Sequence, residues 1–161
     1  VITIETVAPE SPMAAQIVHD YMSDVVSRWY GRPATGDELD QALRDEPSDD
    51  LQGVTGMLLV AVDGERPVGC AGVRFLGSAA ELTKVFTSPS HRGRGVGSQL
   101  LRAVERACRE RAVGTLRLDT RAALTEACAM YERNGFERVG AFNNEPYSDR
   151  WYSKTLAAAV R

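Results

Sequence analysis

From Ser88 to Gln99 the chain reads Ser-Pro-Ser-His-Arg-Gly-Arg-Gly-Val-Gly-Ser-Gln. Apolar residues follow at helical spacing (Val96, Leu100, Leu101, Val104, Ala107, Cys108), so the glycines form a turn that opens a helix. The first N–H groups of a helix have no partner within it, and the helix dipole adds positive charge there. Glycine keeps side chains away from those N–H groups. Arg92 and Arg94 add charge beside the turn. Together these residues suit a phosphate or pyrophosphate.

The spacing separates the known phosphate turns. A Walker loop ends in Gly-Lys-Ser/Thr; here Gly97-Ser98 carries no lysine. A dinucleotide fingerprint needs Gly-x-Gly-x-x-Gly; here Ser98-Gln99-Leu100 stands where the third glycine belongs. What remains is Arg92-Gly93-Arg94-Gly95-Val96-Gly97, after the strand-like run Glu81–Thr87 and Ser88-Pro89.

That pattern, led in by Val85-Phe86-Thr87-Ser88-Pro89, resembles the Arg/Gln-x-x-Gly-x-Gly/Ala signature of the GNAT superfamily, the acyl-CoA-dependent N-acyltransferases. A second segment, Ala129-Met130-Tyr131-Glu132-Arg133-Asn134-Gly135-Phe136, is similar to the family's Leu-Tyr-Glu-x-x-Gly-Phe. The resemblance implies a coenzyme A pyrophosphate on the turn, at Arg92, Gly93, Arg94, Gly95, Val96, Gly97 and Ser98. It implies a pantetheine arm against the strand backbone of Val85, Phe86 and Thr87, where two parallel strands splay apart. It gives Tyr131 the role of acid to the leaving thiolate and Glu81 that of base to the attacking amine, through a water. Most members carry an Asn before the Tyr131 helix; Arg121–Glu126 holds none. The family often builds its acceptor pocket at the end of the first helix, which makes Trp29 and Tyr30 candidate substrate contacts. Tyr147, in the segment Asn143–Trp151, is a third. Asp119 and Glu126 are weaker substitutes for the base.

The implied activity is acetyl transfer from acetyl-CoA to a primary amine of a small molecule, amino acid or peptide N-terminus, by direct attack in a ternary complex. The rival reading is a non-catalytic acyl-CoA-binding or sensor module, which would keep the turn and lack acid and base. Relatives dimerise through sheet edges, so the resemblance also implies a homodimer.

These residues need a frame. The length of 161 residues fits a single domain with a real core, spanning 1–161. Apolar residues make up 43% and charged residues 25%, as in globular proteins. A net charge of −3 argues against a nucleic-acid or membrane-surface partner. The reading has no signal peptide and no spanning segment, and so expects a cytoplasmic protein. Arginine far outnumbers lysine, which stands only at positions 84 and 154, and this fits a GC-rich bacterial source. Cys70, Cys108 and Cys128 lack CxxC spacing and read as reduced, buried thiols with no metal site. His19 reads as exposed, and His91 as a bystander within the turn.

Strands are predicted at 1–7, 57–62, 67–76, 81–87, 115–120, 136–142 and 150–156. Helices are predicted at 12–29 (capped by Ser11), 35–45 (a capping box at Thr35 and Glu38), from Val96 to 112–114, and from a cap at Thr125 to Asn134-Gly135. Ala157–Arg161 reads as a tail. Early hairpins, one β-α-β crossover and a late hairpin predict an α/β mixed sheet, mostly antiparallel, with helices on both faces. This is the element order of the GNAT fold, splayed between the fourth and fifth strands.

Overall fold

The structure, a computed structural model, describes residues 1–157. The expected tail therefore lies outside the described residues from position 158 on. The elements follow the predicted order: β1 (Ile2–Thr6), α1 (Pro12–Tyr30), α2 (Gly36–Asp45), β2 (Gly56–Asp63), β3 (Arg66–Leu76), β4 (Ala79–Thr87), α3 (Val96–Glu110), β5 (Thr115–Thr120), α4 (Thr125–Arg133), β6 (Glu137–Val139) and β7 (Arg150–Thr155). A single turn of 3₁₀-helix, Pro89–His91, links β4 to the glycine turn.

The strands form one sheet in the order β1-β2-β3-β4-β5-β7-β6. Only β4 and β5 run parallel; the other neighbours are antiparallel. This is the mixed GNAT sheet, with helices on both faces. Alternation along β2 supplies both cores. Leu58, Val60 and Val62 face Ala14, Ile17 and Val18 of α1. Leu59 and Ala61 join Leu100, Leu101 and Val104 of α3.

The local signals that start α1 and α2 act as read. The Ser11 hydroxyl accepts the Ala14 N–H (3.3 Å), and Thr35 and Glu38 close a reciprocal capping box. Gly31 (φ 71°) ends α1 in the left-handed region.

Two details differ from the sequence reading. Leu124, not Thr125, occupies the cap position of α4, and Thr125 is its first helical residue. The sixth strand covers only Glu137–Val139, not Phe136–Phe142. The chain leaves the edge early because tertiary contacts claim the next residues. Phe142 lies under the Arg117 guanidinium, 4.6 Å from its ring centre, and the Asn143 amide donates to Asp119 (2.9 Å).

The decisive irregularities lie in β4. Its pairing with β5 covers only Ala79, Ala80 and Glu81, opposite Thr115, Leu116 and Arg117. Beyond Glu81 the two strands part. Its pairing with β3 shifts register between Cys70 and Gly72, and Lys84 takes φ 52° at that bulge. The buried Cys70 thiol donates to the Lys84 carbonyl (3.1 Å), which pins the irregular backbone.

Candidate active site

The glycine turn builds an uncapped helix end. Gly93 (φ 77°) and Gly95 (φ 78°) both need the left-handed region, and an added Cβ at either would meet open space. Their requirement is therefore conformational. Gly97 differs: an added Cβ would run into the Met130 sulfur of α4, and the Met130 side chain would have to move aside. No side chain caps α3, and its first helical bond runs from the Gln99 N–H to the Gly95 carbonyl (3.0 Å). The N–H groups of Val96, Gly97 and Ser98 precede that bond.

The turn is braced from both sides. His91 is buried; its Nε2–H donates to Asp63 at the end of β2 (2.8 Å), and the Ser90 hydroxyl lies 2.8 Å from Nδ1. That bond holds the Asp63 carboxyl below the usual carboxylate range. Arg92 donates from Nε to the Thr87 carbonyl (3.0 Å) and approaches Asp24 (3.7 Å). Arg94 stays exposed.

In front of the turn lies a cavity of about 400 Å³. It is lined by Val85, Phe86 and Thr87, by Arg92, Gly93, Gly95, Val96, Gly97 and Ser98, and by Asp24 and Arg28 of α1. Leu124, Glu126, Ala127, Met130 and Arg133 close its far side. The Arg28 guanidinium grips the Glu126 carboxylate with both nitrogens, tying α1 to α4 across the opening. This bond holds the Glu126 carboxyl below its usual value. The predicted coenzyme residues thus share one cavity, Arg94 excepted.

A second cavity of about 220 Å³ opens where β4 and β5 part. It shares Val25, Val85, Leu124 and Ala127 with the first. Glu81 and Tyr131, 50 residues apart in sequence, both line it, as does Asp119. Glu81 is ion-paired to Arg117 (3.2 Å). Tyr131 is only 5% exposed, and burial pushes its phenol well above the ordinary value. Its hydroxyl has no hydrogen-bond partner among the described residues, and its ring packs edge-on against Phe136.

Three expected acceptor contacts stand elsewhere. Trp29 (44% exposed), Tyr30 (49%) and Tyr147 (56%) line neither cavity. Trp29 and Tyr147 instead meet edge to face at 4.9 Å, with Arg121 stacked on Trp29, and so join α1 to the β6–β7 loop. Two neighbours of Tyr147, Asn143 and Glu145, do reach the second cavity. Glu126 belongs to the first cavity and to Arg28, away from Tyr131.

Lys84 precedes the basic turn in sequence but does not join it. Its chain instead points into the second cavity's wall, 3% exposed, with Nζ donating to the Glu46 carbonyl (2.9 Å), and burial lowers its pKa. Glu46 and Glu145 were not legible as site residues, because only the fold brings them beside β4 and β5. The three cysteines are free and buried, and burial pushes the Cys70 thiol up to about 12 and Cys108 up to about 11. No helix among the described residues is long and apolar enough to cross a membrane, and no group of them is suited to hold a metal ion.

Known proteins share this frame. An acetyltransferase of the GNAT family from Staphylococcus aureus Mu50 superposes with TM-score 0.80, over 98% of this chain and 100% of that one, at 19% identity. A PaiA N-acetyltransferase from Thermoplasma acidophilum, solved in complex with coenzyme A, superposes with TM-score 0.75 over 96% and 99% at 16% identity. In sequence, the chain is 31% identical over 78 residues to the uncharacterized N-acetyltransferase YjcF of Bacillus subtilis strain 168. That match spans 48% of this chain and about half (54%) of the relative. The profile of the acetyltransferase (GNAT) family matches residues 22–136, from within α1 through the splayed strands to Phe136, and the chain belongs to that family.

Proposed function

We propose that this chain is a single-domain N-acetyltransferase that moves an acetyl group from acetyl-CoA to a primary amine of a small molecule, amino acid or peptide N-terminus. The observation that carries this reading is the junction of the two cavities at the gap between β4 and β5, beside Tyr131 and Glu81. The pyrophosphate takes the N–H groups of Val96, Gly97 and Ser98, with Arg92 and Arg94 flanking. The pantetheine arm lies along Val85, Phe86 and Thr87, whose β5 side has no strand partner. Amide groups of the arm supply the hydrogen bonds that the missing strand would have made. That the PaiA protein, alike in fold, was solved in complex with coenzyme A supports a coenzyme A donor.

The acceptor enters from the second cavity. Its nitrogen attacks the thioester carbon, the C–S bond breaks, and the proton lost by nitrogen passes through water to the Glu81 carboxylate. A main-chain N–H of β4 faces the oxygen as charge develops on it. Tyr131 keeps its proton throughout the working range, because burial disfavours the phenolate. It acts as a hydrogen-bond donor to the departing sulfur. Asp119 is the second reading for the base. Its oxygens bind only the neutral donors Asn143 (2.9 Å) and Ser148 (2.6 Å), whereas Glu81 is committed to Arg117.

A thiol-release assay with acetyl-CoA and a broad amine panel tests the reading. Amine-dependent release is expected. Tight acetyl-CoA binding with no release for any amine would instead leave an acyl-CoA sensor. Cytoplasmic location and a homodimer belong to the same proposal.

A further inference from the structure

The second cavity holds more negative than positive charge. Two of its charged groups are cancelled in place: Glu81 pairs with Arg117 (3.2 Å), and Arg74 pairs with Asp50 (2.7 Å). Three carboxylates remain, those of Glu46, Asp119 and Glu145. None of them has a cationic side chain within ion-pair distance among the described residues. Lys84 is the one ammonium left to face them, and it is bound to a main-chain carbonyl.

The three carboxylates come from the end of α2, from β5 and from the β6–β7 loop. Charges gathered from three distant segments repel one another unless a counter-charge joins them. Glu145 registers the strain: burial, then Asp119, then Glu46, raise its carboxyl pKa. A metal ion does not fit, since no group of His, Cys, Asp or Glu among the described residues is close enough to hold one. The counter-charge is therefore carried by an organic cation rather than a metal ion. The buried Tyr131 lines the same cavity, and its hydroxyl, bonded to no other described residue, is free to donate to a molecule bound there. The cavity, about 220 Å³, is smaller than those that take drug-sized ligands.

We propose that the acceptor is a short aliphatic amine with a second positive charge, a diamine, whose reacting nitrogen lies at Tyr131 and Glu81 and whose distal ammonium lies among Glu46, Asp119 and Glu145. This rests on the transferase reading above. The distal ammonium replaces the missing counter-charge and is worth most where water is scarce. A zwitterionic acceptor of equal length would place a carboxylate in the same field.

The test compares 1,4-diaminobutane, butylamine and 4-aminobutanoate in the thiol-release assay at saturating acetyl-CoA. After allowance for its two equivalent amines, diaminobutane should exceed butylamine in kcat/KM by about tenfold or more, the effect of one partly buried ion pair. 4-Aminobutanoate should be the poorest of the three. Glu145→Gln and Glu46→Gln should each shrink the diamine-to-butylamine ratio. In the wild-type protein the ratio should also fall as sodium chloride is raised, which needs no variant to fold. A ratio near one, a preference for 4-aminobutanoate, or a ratio unmoved by salt overturns the diamine inference. If other amines of the broad panel are acetylated and diaminobutane is not, that inference fails alone. Should no amine release thiol, the transferase reading falls with it.

Discussion

The Glu81 carboxylate lies 3.2 Å from the Arg117 guanidinium, on the last rung that β4 and β5 share. The ion pair marks the fork. Before it the strands are hydrogen-bonded; beyond it they diverge around the second cavity. The fork also sets the candidate base beside the gap rather than within a closed sheet.

Glu81→Gln removes the charge and keeps the shape. If Glu81 is the base, the rate optimum should move to higher pH, where more of the acceptor amine is already deprotonated. The ion pair is partly exposed, so the loss in stability should stay within about 1 kcal/mol. Asp119→Asn run in parallel assigns the role: the variant whose pH–rate profile moves identifies the base.

Tyr131→Phe deletes one hydroxyl from a buried ring. We expect kcat to fall by about 10²-fold or less with the coenzyme Kd nearly unchanged. Single-turnover kinetics and calorimetry measure the two separately. An unchanged kcat removes Tyr131 from the chemistry.

Gly95→Glu places bulk and negative charge at the start of α3, at a residue with φ 78°. Coenzyme binding should be abolished. Gly95→Ala, which adds left-handed strain of about 1–2 kcal/mol and no charge, should weaken it less. Calorimetry with acetyl-CoA, beside thermal melts of both variants, separates the binding loss from the folding cost.

Asp63 has its carboxyl pKa depressed from 3.8 by the His91 bond. A depressed folded-state pKa stabilises the protein above the unfolded value and loses that effect as pH falls through the folded one. Asp63→Asn should therefore flatten the loss of Tm below about pH 4, where unfolded carboxylates begin to protonate. If the two acid limbs coincide, the bond contributes nothing to folding.

The three cysteines should ignore a disulfide reagent such as DTNB until the chain is unfolded. All are buried, and the raised values of Cys70 and Cys108 leave almost no thiolate at neutral pH. Reaction in the native state would show that the core opens locally.

The parts of the site that were legible are those governed by neighbours in the chain. The glycine spacing and the apolar repeat after Val96 announce an uncapped helix behind a left-handed turn, and φ at Gly93 and Gly95 bears this out. The Ser11 cap and the Thr35–Glu38 box depend on residues three apart, and both formed. The early end of β6 was not legible, because Phe142 and Asn143 are drawn away by Arg117 and Asp119, which lie earlier in the chain. The resemblance makes Trp29 an acceptor contact by its place at the end of the first helix, and the Asn143–Trp151 segment makes Tyr147 another; the fold pairs them with each other outside both cavities.

By itself, then, the order of residues determined the sequence of strands and helices, though not every end, together with the glycine turn and the motifs by which the chain resembles its family, since each is written in residues close together in the chain. Only the tertiary structure decided that Lys84 turns inward at a bulge, that Tyr131 and Glu81 line one cavity, and that Glu46, Asp119 and Glu145 share it with no ion-pair partner of their own among the described residues. Those juxtapositions come from where the sheet opens, and a sheet opens through the pairing of segments far apart in the chain.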